Sequence, residues 1–295
     1  MIEYSHHGPV RFGLCLLLVW TLLATLAACD GGTVSVTVSP ARSTAEGRVL
    51  FLAGPDSHGP WAHEHDDGSQ LLAAELQRRW PDIETIQATG GWPEDESLFK
   101  DIDAVVIYCD GGERHLINAH LPTFSRLLSL GVGVAALHYA VEVPKGSPSA
   151  DAMLSAIGGY FETDWSVNPH WEATFSPLPD HPVAQGVQPF TMDDEWYFNM
   201  RFQPEGQGVL PLLVAVPPAD TMSRPNGPHS GNDAVREMVA ERQPQTVAWL
   251  YQREDGGRGF GFTGGHYHSN WQDENALRLV VNAIAWVSAA EFPGE

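Results

Sequence analysis

The sequence predicts an α/β fold, a mostly parallel sheet with helices on both faces. Short apolar runs alternate with amphipathic stretches of helical period, and polar residues gather directly after the runs. Strands buried on both faces read as unbroken apolar runs, and strand–helix alternation lets a parallel sheet cover both of its faces.

The elements follow in chain order. Residues 48–54 (RVLFLAG) are an apolar run ending in a turn, and residues 67–80 a helix with Leu71, Leu72 and Leu76 on one side. Ile83–Ala88 and Ala104–Tyr108 are the next strands, residues 116–130 a helix, and Gly133–Leu137 the fourth strand. Trp171–Phe175, Leu210–Val216, Val247–Tyr251 and Arg258–Phe262 complete the strands. Asp273–Ala290 closes the chain as a helix, apolar at Leu277, Val280, Val281, Ile284 and Val287. The span 145–245 is rich in Pro, Gly and Trp and poor in helical period. It is expected as strands and long loops inserted into one domain covering 48–290.

Upstream of that domain the chain reads as an address. Leu14–Ala28 is an apolar run shorter than the roughly 20 residues a spanning helix requires, which is the length of a signal-peptide core. It ends Leu26-Ala27-Ala28-Cys29, a sequence that resembles a bacterial lipobox. Residues 1–28 are therefore expected as a lipoprotein signal, Cys29 as the lipidated first residue, and 29–47 as a flexible tether. The protein would then be exported and anchored at the cell envelope through its lipid alone.

Composition narrows the function classes. Of 295 residues, 37 are acidic and 16 basic, a net charge of −21, so a row of nucleic-acid phosphates would find little to neutralise it. Of the three cysteines, Cys15 and Cys29 lie within or at the end of the signal, leaving Cys109 without an intramolecular partner. No P-loop or dinucleotide fingerprint is present, and no nucleotide cofactor is expected.

Open α/β sheets bind ligands beyond the carboxyl ends of their strands. Here those ends run into Asp56-Ser57-His58, Cys109-Asp110-Gly111-Gly112-Glu113, His138-Tyr139-Ala140-Val141-Glu142 and Gly264-Gly265-His266-Tyr267-His268. His266 and His268 are two apart, a spacing that puts both rings on one side of an extended segment, as metal ligands require. His63 and His65 share that spacing, but His63-Glu64-His65-Asp66-Asp67-Gly68 reads equally as a solvated loop leading into a helix.

Six segments together resemble the ThuA-like (trehalose-utilisation) family: GPDSHGPWAHEH (54–65), ALHYAVE (136–142), GGYFETDWSVNPHW (158–171), LPDHPVAQGVQPF (178–190), DEWYFNMRF (194–202) and GRGFGFTGGHYHSNW (257–271). The resemblance implies a flavodoxin-like fold of the class I glutamine amidotransferase type, acting on carbohydrates such as disaccharides oxidised to a 3-keto form. Amidotransferases hold a nucleophilic cysteine in a tight turn after a strand. The matching turn here, Leu137-His138-Tyr139, has no thiol, so amidotransfer is not expected.

The resemblance also brings the loop of Glu195 and Tyr197 over the sheet edge that carries the histidines. His138, Glu195, Tyr197 and His266 are then the expected acid–base residues, with His58, Glu142, Asn168, His170, Trp196 and Asn199 contacting a sugar. His58, His138, His266 and His268 could hold a divalent ion, zinc or similar, or the same groups could act without metal. Three classes stay open at this point: a carbohydrate-cleaving or isomerising enzyme, a lipid-anchored sugar-binding module, and an interaction protein whose histidines bind metal for structure only.

Overall fold

The computed structural model describes residues 34–38 and 47–292. The expected signal segment and Cys29 lie outside the described residues. The strands are β1 (Ser35–Val38), β2 (Gly47–Ala53), β3 (Ile83–Thr89), β4 (Ala104–Tyr108), β5 (Gly133–Leu137), β6 (Gly159–Tyr160), β7 (Trp171–Phe175), β8 (Phe190–Asp194), β9 (Arg201–Phe202), β10 (Val209–Ala215), β11 (Gln245–Gln252) and β12 (Arg258–Phe262). The helices are α1 (His65–Arg79), α2 (Leu121–Ser129), α3 (Pro148–Ile157), α4 (Asp233–Ala240) and α5 (Glu274–Val287).

Eight of these strands make one sheet in the order β1-β3-β2-β4-β5-β12-β11-β10. The central five, β3-β2-β4-β5-β12, run parallel, and β1, β11 and β10 are antiparallel additions at the edges. Numbered by their order in the chain, the parallel strands stand 2-1-3-4-5, the flavodoxin order, whose crevice opens between the first and third of them. Here those are β2 and β4. Alternate side chains divide the core between two faces: Val49, Phe51, Val106 and Tyr108 on one, with α1 and α5; Leu50, Leu52, Val105 and Ile107 on the other, with α2 and α3.

Three expectations need correction, and a fourth element, the expected strand Trp171–Phe175, pairs outside the main sheet. Ser35–Val38 falls within the span read as a tether, yet pairs antiparallel with β3, Ser35 opposite Thr89. Its alternating Val and Thr suit a pleated edge better than a coil. The helix expected over 116–130 breaks at His120, where Leu121-Pro122 starts α2 afresh. Trp171–Phe175 is a strand, but it pairs with β8 in a separate two-stranded ribbon rather than in the main sheet. Finally, the span 145–245 holds two helices. Ser147 caps α3 by accepting the Ala150 N–H, and Asn232 caps α4 by accepting that of Val235.

Two buried histidines make the fold acid-sensitive. His115 is fully enclosed; its Nε2–H donates to the Ala140 carbonyl while its Nδ1 accepts the Ile117 N–H, so only the neutral ring satisfies both. His65 donates through Nδ1 to the Pro55 carbonyl. Burial lowers each pKa to about 4. Unfolded histidine titrates near 6.5, so the unfolded chain takes up protons first as pH falls. The stabilisation is complete above pH 6.5 and is lost between 6.5 and about 4. Each ring should cost about 2 kcal/mol by pH 5. The melting temperature should therefore fall between pH 7 and pH 5, less steeply in His115→Asn; a flat profile in the wild type would contradict this assignment.

Candidate active site

The carboxyl ends of β2, β5 and β12 and the loop after β8 meet in one cleft. His138 directly follows β5 and is fully buried, with φ at 53°, a left-handed backbone in a tight turn. His63 lies in the loop between β2 and α1, also left-handed at 48°, its N–H bonded to the carbonyl of His266 at 3.0 Å. His266 follows Gly264-Gly265. A Cβ at Gly264 would stand 2.5 Å from the Trp196 ring, so this approach requires glycine.

Asp194, buried at the end of β8, ties two of the loops together. Its carboxylate accepts the N–H groups of Glu195, Gly265 and His266 and the amide of Asn270, at 2.7 to 3.1 Å. Burial raises its pKa against these four donors. The clamp thus sets the backbone of both Glu195 and His266.

Within this frame three imidazole nitrogens and one carboxylate oxygen converge. His63 Nε2 is 3.0 Å from His138 Nε2 and 3.1 Å from His266 Nδ1, and the latter two are 3.3 Å apart. Glu195 Oε2 stands 3.2 Å from His266 Nδ1 and 3.6 Å from His138 Nε2. All four ligand atoms lie within 4.8 Å of one another.

The far sides of two rings fix their protons. His138 Nδ1 faces the Thr263 carbonyl at 2.8 Å and so carries a hydrogen. His63 Nδ1 faces the Asp110 carboxylate at 3.2 Å and does the same. Both Nε2 atoms of the neutral rings then present lone pairs to each other across 3.0 Å, an arrangement that could hold a metal ion or a shared proton between them. Neutral rings are what the surroundings favour. Burial lowers the pKa of His63, and burial together with the neighbouring imidazoles lowers that of His138 well below the usual range.

The dimensions match an ion. Four ligands at about 2.0–2.1 Å from Zn²⁺ in a tetrahedron stand roughly 3.3–3.4 Å apart, and the distances here bracket that value. Around the ligands a further layer holds their orientation. Burial pushes the pKa of Asp110 up, but hydrogen bonds from His63 and Ser57 outweigh it and bring it down to about 2. Asn168 donates to Glu195 Oε1 at 3.0 Å, and its own oxygen accepts from Arg224 at 2.8 Å, which leaves Oε2 free for the histidines. Tyr197 hydroxyl lies 3.1 Å from His138 Nε2 and 3.3 Å from Glu195 Oε2; burial raises its pKa far enough to keep it a neutral phenol.

The expected site residues divide accordingly. His138, Glu195, Tyr197 and His266 come together, with Asn168 and His170 beside Glu195, the latter at 3.9 Å and half exposed. The set expected to hold an ion changes in two members. His58 is exposed, its ring tilted against His63 with centres 3.9 Å apart, and it bonds to Ser57; its ligand atom groups with those of His63 and Asp110 rather than with His138 and His266. His268 instead approaches Glu64, at 3.7 Å, in the turn after His266. Its chain bends into a 3-10 turn there, so the two rings do not share a side. His63, whose segment reads equally as loop, takes the vacated place; the convergence of its Nε2 with rings carried by two other strand ends distinguishes it.

Two of the sugar contacts also need correction. Trp196 is wholly buried between Phe175 and Phe262 and donates to the Met192 carbonyl, so it is core. Asn199 braces the backbone, its amide on Trp165 and its N–H on Gln245. Cys109 is buried, and burial pushes its thiol up to about 12, so no reactive thiol stands near the cleft among the described residues.

The family model for trehalose utilisation, ThuA, matches residues 48–287. The chain belongs to the ThuA family. A ThuA-like protein from Bacteroides uniformis is similar to this ThuA chain at 15% identity and a TM-score of 0.54, covering 84% of this chain and 94% of that one. Another, from Parabacteroides merdae, is similar at 14% identity and 0.54, covering 84% and 92%. A glutamine amidotransferase from Thermotoga maritima matches at 8% identity and 0.44, covering 83% and 99%. No curated protein matches the chain.

Proposed function

We propose that this ThuA protein cleaves the glycosidic bond of a keto-sugar at a metal centre held by His63, His138, His266 and Glu195. The observation that carries the reading is the pair of proton-free nitrogens, His63 Nε2 and His138 Nε2, facing each other at 3.0 Å with their other nitrogens tied back. The family's link to trehalose utilisation supports a carbohydrate substrate.

A bound divalent ion would supply Lewis acidity, drawing electrons from a substrate carbonyl and acidifying the neighbouring C–H. The protein's own groups do the rest. His170, exposed at the mouth and outside the ligand set, takes the proton from the carbon beside the carbonyl. That electron pair forms a carbon–carbon double bond as the anomeric C–O bond breaks, and the departing oxygen takes a proton. Addition of water to the double bond makes the net reaction a hydrolysis. Tyr197, a neutral phenol at the cluster, offers its O–H to an oxygen of the substrate.

The test is metal analysis of the purified protein, followed by assay of 3-keto-trehalose beside trehalose itself. Stoichiometric metal and turnover of the keto form alone are expected, with turnover abolished by chelation and restored by the ion. Tight binding without turnover would make the protein a sugar-binding module and overturn the proposal.

A further inference from the structure

A second ion pair, Glu142 with His229, stands beyond Tyr197 and Phe161 from His138. Glu142 ends the turn that begins at His138 and is buried, with 4% of its side chain exposed. Both its oxygens meet Nε2 of His229, at 2.9 and 3.1 Å. His229 is more open, with 37% of its side chain exposed, and its ring stacks on Phe161 with centres 5.3 Å apart. Phe161 in turn packs on Tyr197, and Tyr197 on His138. The loop carrying His229 is tied to the metal-ligand side as well: Asn168 and Arg224 both donate to the His229 carbonyl, and the same Asn168 holds Glu195.

Resting on the keto-sugar reading above, we infer that His229, oriented by Glu142, is the acid that protonates the departing glycosidic oxygen. A pyranose ring keeps its 3-carbonyl and its anomeric oxygen apart by the width of the ring. One side chain cannot serve both, so the proton donor must stand away from the ion. His229 stands two rings removed from His138, through Tyr197 and Phe161, and its carbonyl is held by the backbone of Asn168, whose side chain holds Glu195. The role needs a proton at neutral pH and an open edge. The hydrogen bond that His229 donates to Glu142 raises the His229 pKa against its partial burial, and Glu195 adds to the rise while Arg224 opposes it. Glu142 holds the Nε2 edge and Phe161 covers one face of the ring, and 37% of the side chain remains exposed. A buried carboxylate behind an exposed imidazolium is the arrangement that fixes a general acid in place.

The step balances simply. The proton on His229 passes to the oxygen as the C–O bond breaks, leaving a neutral imidazole beside the Glu142 carboxylate. The proton taken by His170 returns to solvent, from which His229 is reprotonated.

Leaving-group dependence tests this. His229→Gln keeps a hydrogen bond to Glu142 but has no proton to give. Two 3-keto-glucosides are compared, one with an alkyl aglycone and one with p-nitrophenol, whose anion leaves without protonation. In His229→Gln, and in Glu142→Gln as an independent variant, cleavage of the alkyl glycoside should fall by about 10²-fold or more. Cleavage of the nitrophenyl glycoside should fall less than about threefold, with metal content unchanged. Equal losses on both substrates, or no loss on either, would overturn the acid role and leave the cleavage reading standing. A wild-type protein inert toward both would overturn the cleavage reading and this inference with it.

Discussion

His138→Ala is expected to lose both bound metal and turnover, the latter by at least about 10²-fold, while the protein stays folded. The ring contributes one ligand atom to the convergent set and fills the turn after β5. Its removal also leaves the Thr263 carbonyl without its partner, so a modest loss of stability, on the order of 1–3 kcal/mol, accompanies the loss of metal. Asp110→Asn separates the two effects. It spares every ligand atom but weakens the group that holds His63 in its tautomer, and should reduce metal affinity by about 10–100-fold. Metal content after gel filtration, read beside thermal melts, checks both. Full metal occupancy in His138→Ala would show that the four residues do not act as one centre.

Trp196→Ala is expected to cost about 3–5 kcal/mol of stability without any direct loss of sugar contact. The indole is completely enclosed, packed edge-on against Phe175 and Phe262, and its N–H is satisfied by Met192. Truncation opens a large void beneath Gly264, whose backbone comes so close to the ring that no side chain fits between them. At about 2–4 °C per kcal/mol for a domain of this size, the melting temperature should drop by on the order of 10 °C. The urea midpoint should shift at constant slope. Unchanged stability with lost ligand binding would return Trp196 to the cleft.

How far the chain could be read in advance depended on whether neighbours in sequence carried the information. Ala104–Tyr108 and Gly133–Leu137 emerge at their expected bounds because a strand buried on both faces has no polar residue to blur its ends, and Arg258–Phe262 does so with its one polar residue, Arg258, at its start. Helix α3 escaped because its buried face is built from Ala150, Met153, Ala156 and Ile157, too small and mixed for a strong periodic signal. Its punctuation was present all the same, in Ser147-Pro148 at one end and Gly158, left-handed at 74°, at the other. In the site, His138 and His266 were legible as polar residues at strand ends. His63 was not, because what selects it over His58 and His268 is the convergence of its Nε2 with rings carried by two other strand ends. Trp196 and Asn199 share a segment with Glu195 and Tyr197, and sequence adjacency could not tell the residues that face the cleft from those that face the core.

The wide spacing of the ligands along the chain has a consequence for folding. His63 and His138 are 75 residues apart, His138 and His266 128, and His63 and His266 203. An ion held by the proposed centre would act as a reversible staple across the domain, closing loops whose ends the unfolded chain would bring together only at an entropic cost. An unfolded chain cannot assemble the set, so binding selects the native state, and at one hundred times Kd it would deepen native stability by about 2.7 kcal/mol. With an ion in the proposed centre, the same arithmetic would tie the protein's lifetime to metal supply: starved of it, the chain would unfold more often and meet proteases sooner.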